Sequence, residues 1–280
     1  MASPGPAGVV EIVVVGAAIR TAPGMDTPRQ YCQKRVTPGP RDDTAGTPGR
    51  CPIECNALRS QSHQEAMMAK VRVAGFSVSL DGYGAGPEQS IENPLGKRGM
   101  DLHEWAFGTK TFRKMAGNAG GSDGVDEDYA ARSMAGFGAF ILGRNMFGPV
   151  RGAWPDESWK GWWGDNPPYH TPVFVLTHYA RAPIEMEGGT VFHFVTEGIE
   201  AALAQAKAAA RNLDVKIGGG VFTVRQYLQA GLIDELHFAI APVVLGRGEA
   251  IFYGVDLPGL GFRVTEHAAT GHATHLVLSR

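Results

Sequence analysis

The run VKIGGGVFTVRQYLQAGLIDELHFAIAPVVLGRG, residues 215–248, decides the reading of the fold. Val215, Lys216 and Ile217 read as a strand that reaches three consecutive glycines, Gly218, Gly219 and Gly220. An amphipathic stretch then predicts a helix, and a second apolar run leads into Leu245-Gly246-Arg247-Gly248. Strand, glycine turn, helix and strand follow one another as in an α/β unit. Glycines between a strand end and a helix N-terminus let a ligand approach the backbone and leave N–H groups aimed at it, which suits a phosphate or pyrophosphate. Taken alone, the triplet also fits an ordinary tight turn. The rest of the chain has to decide between the two.

The chain has 280 residues, 44% hydrophobic and 19% charged, with a formal net charge of −2. That balance fits one large or two small globular domains and argues against a broad nucleic-acid surface. Cys32, Cys51 and Cys55 are too few and too clustered for a disulfide framework, so a reducing cytoplasm is the expected setting. The apolar residues 9–19 carry Glu11, are too short to span a bilayer and lack a basic segment before them, so neither export nor a membrane anchor is expected.

Proline and glycine recur through residues 1–66 with little apolar periodicity, and such a segment buries too little surface to offset the entropy of ordering it. A disordered extension or a mispredicted start is the expected reading, with the functional chain running from Met67 or Met68 to Arg280. Three residues separate Cys51 from Cys55, and His63 stands without a second ligand pair, so no metal site is expected.

Beyond residue 66 the texture changes. VRVAGFSV, residues 71–78, predicts a strand ending at Ser79-Leu80-Asp81-Gly82. Asp-Gly is a turn signal, and the C-terminal end of a strand is also where α/β sheets present ligand-contacting loops. Residues 101–107 and 126–137 predict helices on either side of a glycine-rich loop at 117–124. A strand at 139–142 delivers Gly143-Arg144-Asn145, a second strand, glycine and helix junction with a cation beside it. Trp154, Trp159, Trp162 and Trp163 crowd a proline-rich loop at 150–172, which either stacks on a planar substrate as a lid or is pinned by its own aromatics. Strands at 173–176 and 190–195, an Ala-rich packing helix at 197–211 and two closing antiparallel strands at 261–267 and 272–278 complete the pattern.

Three phosphate-compatible junctions therefore occur in order, at Gly143-Arg144, Thr177-His178 and Gly218-Gly219-Gly220. With Ser79-Leu80-Asp81-Gly82 before them and Asp234-Glu235-Leu236, Pro242-Val243 and Leu245-Gly246-Arg247-Gly248 after them, the chain resembles the dihydrofolate-reductase-like family. The matching branch holds the C-terminal reductase domain of the bacterial bifunctional riboflavin-biosynthesis enzyme, and the resemblance covers residues 70–279.

The resemblance implies an α/β fold in a single domain, with a mixed, mainly parallel sheet of about eight strands flanked by helices. NADPH would lie across the strand ends. Gly143, Arg144 and Asn145 would meet its phosphates; Thr177, His178 and Arg181 would meet the adenosine ribose and 2′-phosphate. Gly218, Gly219 and Gly220 would face the pyrophosphate, with Val221 and Phe222 opening the next helix. The cations favour NADPH over NADH because the 2′-phosphate needs charge-assisted partners. On the substrate side the resemblance points to Asp81 as the catalytic candidate and to Ser79, Asp81, Trp154 and Glu249 for binding, with Glu104 a further carboxylate.

The implied activity is hydride transfer to a small heterocyclic, imine or carbonyl substrate, as in reduction of 5-amino-6-(5-phosphoribosylamino)uracil. Dihydrofolate reduction is the alternative within that chemistry, and an NADPH-binding regulator without turnover the alternative outside it. A homodimer is expected from the family. A zinc deaminase unit needs His-x-Glu followed by Pro-Cys-x-x-Cys, a combination the sequence lacks, so the reductase-like domain is expected to stand alone.

Overall fold

The structure, a computed structural model, describes residues 69–148 and 151–280. The expectations for residues 1–66, for the start at Met67 or Met68 and for the three cysteines lie outside the described residues.

The chain runs β1 (Val71–Val78), β2 (Tyr83–Ala85), a 3₁₀ turn (Gly99–His103), α1 (Glu104–Phe107), α2 (Lys110–Met115), α3 (Val125–Arg132), β3 (Phe137–Gly143) and α4 (Arg144–Phe147). It continues with β4 (Pro172–Leu176), β5 (Ile184–Glu185), β6 (Val191–Val195), α5 (Ile199–Ala210), β7 (Asp214–Gly219), α6 (Val221–Gln229) and β8 (Glu235–Ile240). β9 (Glu249–Ala250), β10 (Arg263–Ala269) and β11 (Thr274–Ser279) close it.

Nine strands form one sheet in the order β10-β11-β8-β1-β7-β3-β4-β6-β5. The six strands from β8 to β6 are parallel, and β10, β11 and β5 are added antiparallel at the edges. The mixed, mainly parallel single-domain sheet expected from the sequence is therefore present, one strand larger. β2 and β9 pair separately as a short antiparallel ribbon.

A sheet covered on both faces needs central strands without a polar side, and Phe137–Gly143 is buried at every position. α5 and α6 cover one face. The α5 stripe Ala202, Leu203, Ala206 and Ala210 follows helical spacing and meets Ile141, Phe174, Val215 and Ile217. Small residues bring this helix close: a Cβ on Gly138, near the start of β3, would stand 2.7 Å from Ala210 Cα. The Tyr227 hydroxyl of α6 donates to the Ile199 carbonyl at 2.7 Å and joins the two helices.

On the other face, α1 and α3 pack Trp105, Ala106, Tyr129 and Ala130 against Ala239 and Val277. A polar chain is sealed beneath them. Gly75 N–H donates to His237 Nδ1 at 3.0 Å, which leaves the proton of the neutral ring on Nε2. That nitrogen then donates to His275 Nδ1 at 3.1 Å, and His275 Nε2 donates to Asp126 at 2.8 Å. Both rings are neutral in this arrangement.

Three local expectations are corrected. The helix placed at 126–137 ends at Arg132, since Gly136 turns at φ +84° and Phe137 enters β3. A helix precedes the glycine-rich segment at Lys110–Met115, started by the Thr109 side chain accepting from Phe112 N–H. β7 continues through Gly218 and Gly219, so Gly220 alone separates strand from helix. The Gly219–Gly220 peptide is cis. No described helix is long and apolar enough to cross a membrane.

Candidate functional site

Parallel strands deliver their following residues to one edge, and here the C-terminal ends of β3, β4 and β6 face the N-terminal turns of α4, α5 and α6. A cleft of about 410 Å³ opens between them. Gly143, Arg144, Asn145, Thr177 and His178 line it, so five of the residues singled out from sequence come together.

Arg144 is the centre of this cleft. Its Nη1 donates to the Thr177 hydroxyl at 2.9 Å, while Nε and Nη2 are buried with no partner among the described residues. No carboxylate among the described residues pairs with it. Burial, with Arg181 nearby, draws its pKa down to about 10, which still leaves the group charged near neutrality. A cation whose N–H groups are buried without partners is costly unless an anion meets it. α4 is a single turn, so the guanidinium and not a helix dipole supplies the attraction.

The glycine junctions act by space. Gly143 and Gly220 are neighbours, since a Cβ on Gly143 would lie 3.5 Å from Gly220 N and would collide with the Thr223 hydroxyl. A Cβ on Gly220 meets nothing within 4 Å and would project into open space. Gly219 holds φ at +131°, a value that favours glycine. These features fit a group that lies against the backbone.

Other expected residues go elsewhere. Arg181 donates to the carbonyls of Trp159 and Glu157 at 2.8 and 2.7 Å, so its cation secures the aromatic loop. Trp154 joins the Arg144 side: its ring centroid is 3.0 Å from the Arg144 guanidinium carbon, and its indole N–H donates to the Tyr179 carbonyl. The loop is thus pinned by its own aromatics, with Trp154 also edge-on to Phe147 and Phe194. Val221 is 2% exposed and packs into the core, whereas Phe222 is 51% exposed beneath Arg225. Gly218 faces Leu142.

Asp81 does not stand as a ready proton donor. Its carboxylate accepts from Leu245 N and Gly246 N at 3.1 and 2.7 Å, and the Ser79 side chain with these amides holds it below the ordinary carboxylate value. It clamps the Leu245-Gly246 turn to the end of β1. Ser79 is buried and accepts from Tyr83 N. Glu104, on α1, belongs to the other face of the sheet. Glu249, in β9, is a partly buried carboxylate that burial pushes up, opposed by Arg151 and Arg225.

Sequence reasoning missed Thr223, Gln226, Arg151 and Gly198, all of which line the cleft. Gly198, at φ +93° with open space where a Cβ would sit, repeats the strand, glycine and helix pattern between β6 and α5. Thr223 and Gln226 stand three apart on one face of α6, a spacing visible in the sequence.

The family model of the RibD C-terminal domain matches residues 70–276. No curated protein matches the chain. Among solved structures it is similar to a protein of Shewanella sp. PV-4 described under riboflavin biosynthesis, at 23% identity and TM-score 0.47, covering 76% of this chain and 99% of that one. A diaminohydroxyphosphoribosylaminopyrimidine deaminase/5-amino-6-(5-phosphoribosylamino)uracil reductase of Thermotoga maritima is similar at 13% identity and TM-score 0.41, over 78% of this chain and 58% of that one. A pyrimidine reductase-like protein of Corynebacterium diphtheriae is similar at 13% and 0.41, over 75% and 91%. With nearly all of the described residues inside the matched span, the chain belongs to the RibD C-terminal domain family, a family of reductases.

Proposed function

We propose that this chain is an NADPH-dependent reductase whose substrate is 5-amino-6-(5-phosphoribosylamino)uracil or a closely related ribosylamino heterocycle. The observation that carries the reading is Arg144, a partly buried cation with two buried, unpaired guanidinium nitrogens, which follows Gly143 in the strand-end cleft. Arg144, Asn145, Thr177 and His178 would hold the phosphate of the adenosine half, and Gly220 and Thr223 would border the pyrophosphate. The bound cofactor supplies the hydride. The chain's own residues would fix its position. A cytoplasmic setting belongs to the same proposal.

Fluorescence titration with NADPH, followed by NADPH oxidation with this pyrimidine and separately with dihydrofolate, tests the reading. Saturable NADPH binding and turnover of the pyrimidine are expected. Turnover of dihydrofolate alone would shift the assignment to a folate reductase, binding without turnover of either would favour a regulator, and absence of NADPH binding would end the proposal.

A further inference from the structure

The β2/β9 ribbon lies against the Gly219–Val221 junction. A Cβ on Gly84 of β2 would stand 2.8 Å from both Phe76 and Val221, and a Cβ on Gly219 would stand 3.6 Å from the same Phe76 ring. Glu249 is paired with Ala85 in this ribbon. Arg225 of α6 donates to the carbonyl of Ala250, the residue after Glu249, at 2.8 Å, so the ribbon is tied to the helix that follows Gly220.

Carboxylates at this end of the sheet differ in what occupies them. Asp81 is held by two amides, Glu88 by Lys97 and Arg247, Asp101 by Arg98, and Glu197 accepts from Thr196 N. The Glu249 carboxylate is partly buried and makes no hydrogen bond or ion pair among the described residues.

We propose that Glu249 is the proton donor of the reduction. The proposal rests on the reductase reading. As the electrophilic carbon takes the hydride and its C=O or C=N π pair moves onto the heteroatom, the Glu249 O–H bond breaks and a heteroatom–H bond forms. The substrate gains two electrons, the nicotinamide loses them, and solvent returns the proton to Glu249. Burial favours the protonated carboxyl. Arg151 from the aromatic loop and Arg225 from α6 oppose it, while Arg247 and Lys97 are engaged by Glu88. A ring stacked over the carboxyl would desolvate it further and raise its pKa again.

The test has two readouts. With the substrate that the wild type turns over, Glu249→Gln should lower kcat about 100-fold with NADPH affinity and melting temperature unchanged, and should abolish the alkaline limb of the kcat profile. Glu249→Asp should recover part of the rate. Arg225→Gln should move the alkaline limb of otherwise wild-type enzyme to higher pH. Independently of turnover, the carbon-13 carboxyl resonance of Glu249, assigned by its loss in Glu249→Gln, should titrate at higher pH when NADPH is bound. A kcat for Glu249→Gln within about threefold of wild type, an unmoved limb in Arg225→Gln, or an unchanged carboxyl midpoint with NADPH demonstrably bound overturns the assignment. Failure of the wild type to bind NADPH is read from its own titration; it removes the reductase reading and this assignment with it.

Discussion

The Arg144 guanidinium carbon lies 3.0 Å from the centroid of the Trp154 ring. The indole covers one face of the cation, and the edge of the fork, at Nε and Nη2, is left unpaired. Charge-assisted hydrogen bonds to a phosphate are worth about 1.5–3 kcal/mol each. Arg144→Gln should therefore raise the NADPH Kd at least about tenfold. Arg144→Lys should recover only part of that loss, because an ammonium lacks the planar fork. Fluorescence titration decides it, and Arg144→Gln binding within about twofold of wild type would remove Arg144 from the cofactor site.

Gly143 and Gly220 are neighbours with opposite surroundings. A methyl group on Gly143 collides with Thr223, so Gly143→Ala should destabilise the fold by about 1–3 kcal/mol. A methyl group on Gly220 meets nothing. Gly220→Ala should leave the melting temperature close to wild type and weaken NADPH binding. Equal effects of both substitutions on melting temperature would contradict this division.

Acid should unfold the protein through His237 and His275. Burial first, then competition with His275 for a proton and the charges of Arg132 and Lys216, depress His237 to about 3, and burial lowers His275 against the opposing pull of Asp126. A depressed histidine contributes stability that is fully present above its unfolded pKa near 6.5 and is lost as pH falls toward the folded value. Glu266, held at about 2 by Arg132 and Tyr129, acts in the same sense at lower pH. Urea denaturation should show stability falling from pH 6.5 downward by up to about 1.4 kcal/mol per pH unit for each proton taken up. His237→Gln should reduce that slope near pH 5. An unaltered slope would exclude His237.

Lys216 sits in the central strand β7, buried, with Nζ donating to the Ser133 carbonyl and 5.7 Å from the rings of Phe137 and Phe140. Burial first, then the charge of Arg72, bring its pKa to about 7. The unfolded chain holds this proton to about 10.4, so stability should rise with pH between 7 and 10.4. Lys216→Met should remove this term, and chemical denaturation at pH 7 and pH 9 would reveal it as a smaller difference than in wild type.

Much of this arrangement was legible because it depends on neighbours in sequence. β1 matches VRVAGFSV residue for residue, and Gly143 and Gly220 stand where strand and helix meet. Gly198 escaped notice because Thr196 and Glu197 separate it from the strand and the alanines beyond it read as packing. Val221 and Phe222 occupy the right helix end, but helical rotation sends one side chain to the core and the other to solvent, leaving Thr223 and Gln226 toward the cleft. Arg144 with Trp154, and Arg181 with the carbonyls of Glu157 and Trp159, are contacts across a non-periodic loop. No local pattern encodes them. Asp81 was correctly placed at a strand end, yet its partners are the amides of a turn more than 160 residues away.

The close approach of Gly138 to Ala210 makes α5 a lever. The contact lies at the opposite end of β3 and α5 from the cleft, and the 12-residue helix reaches about 18 Å from it to Gly198 at the rim. A side chain enlarged at either position would push that end of the helix off the sheet. The displacement would be largest at the substitution and would reach the cleft through the helix as a stiff rod, so a packing change with no ligand contact would be read as altered affinity as well as lost stability.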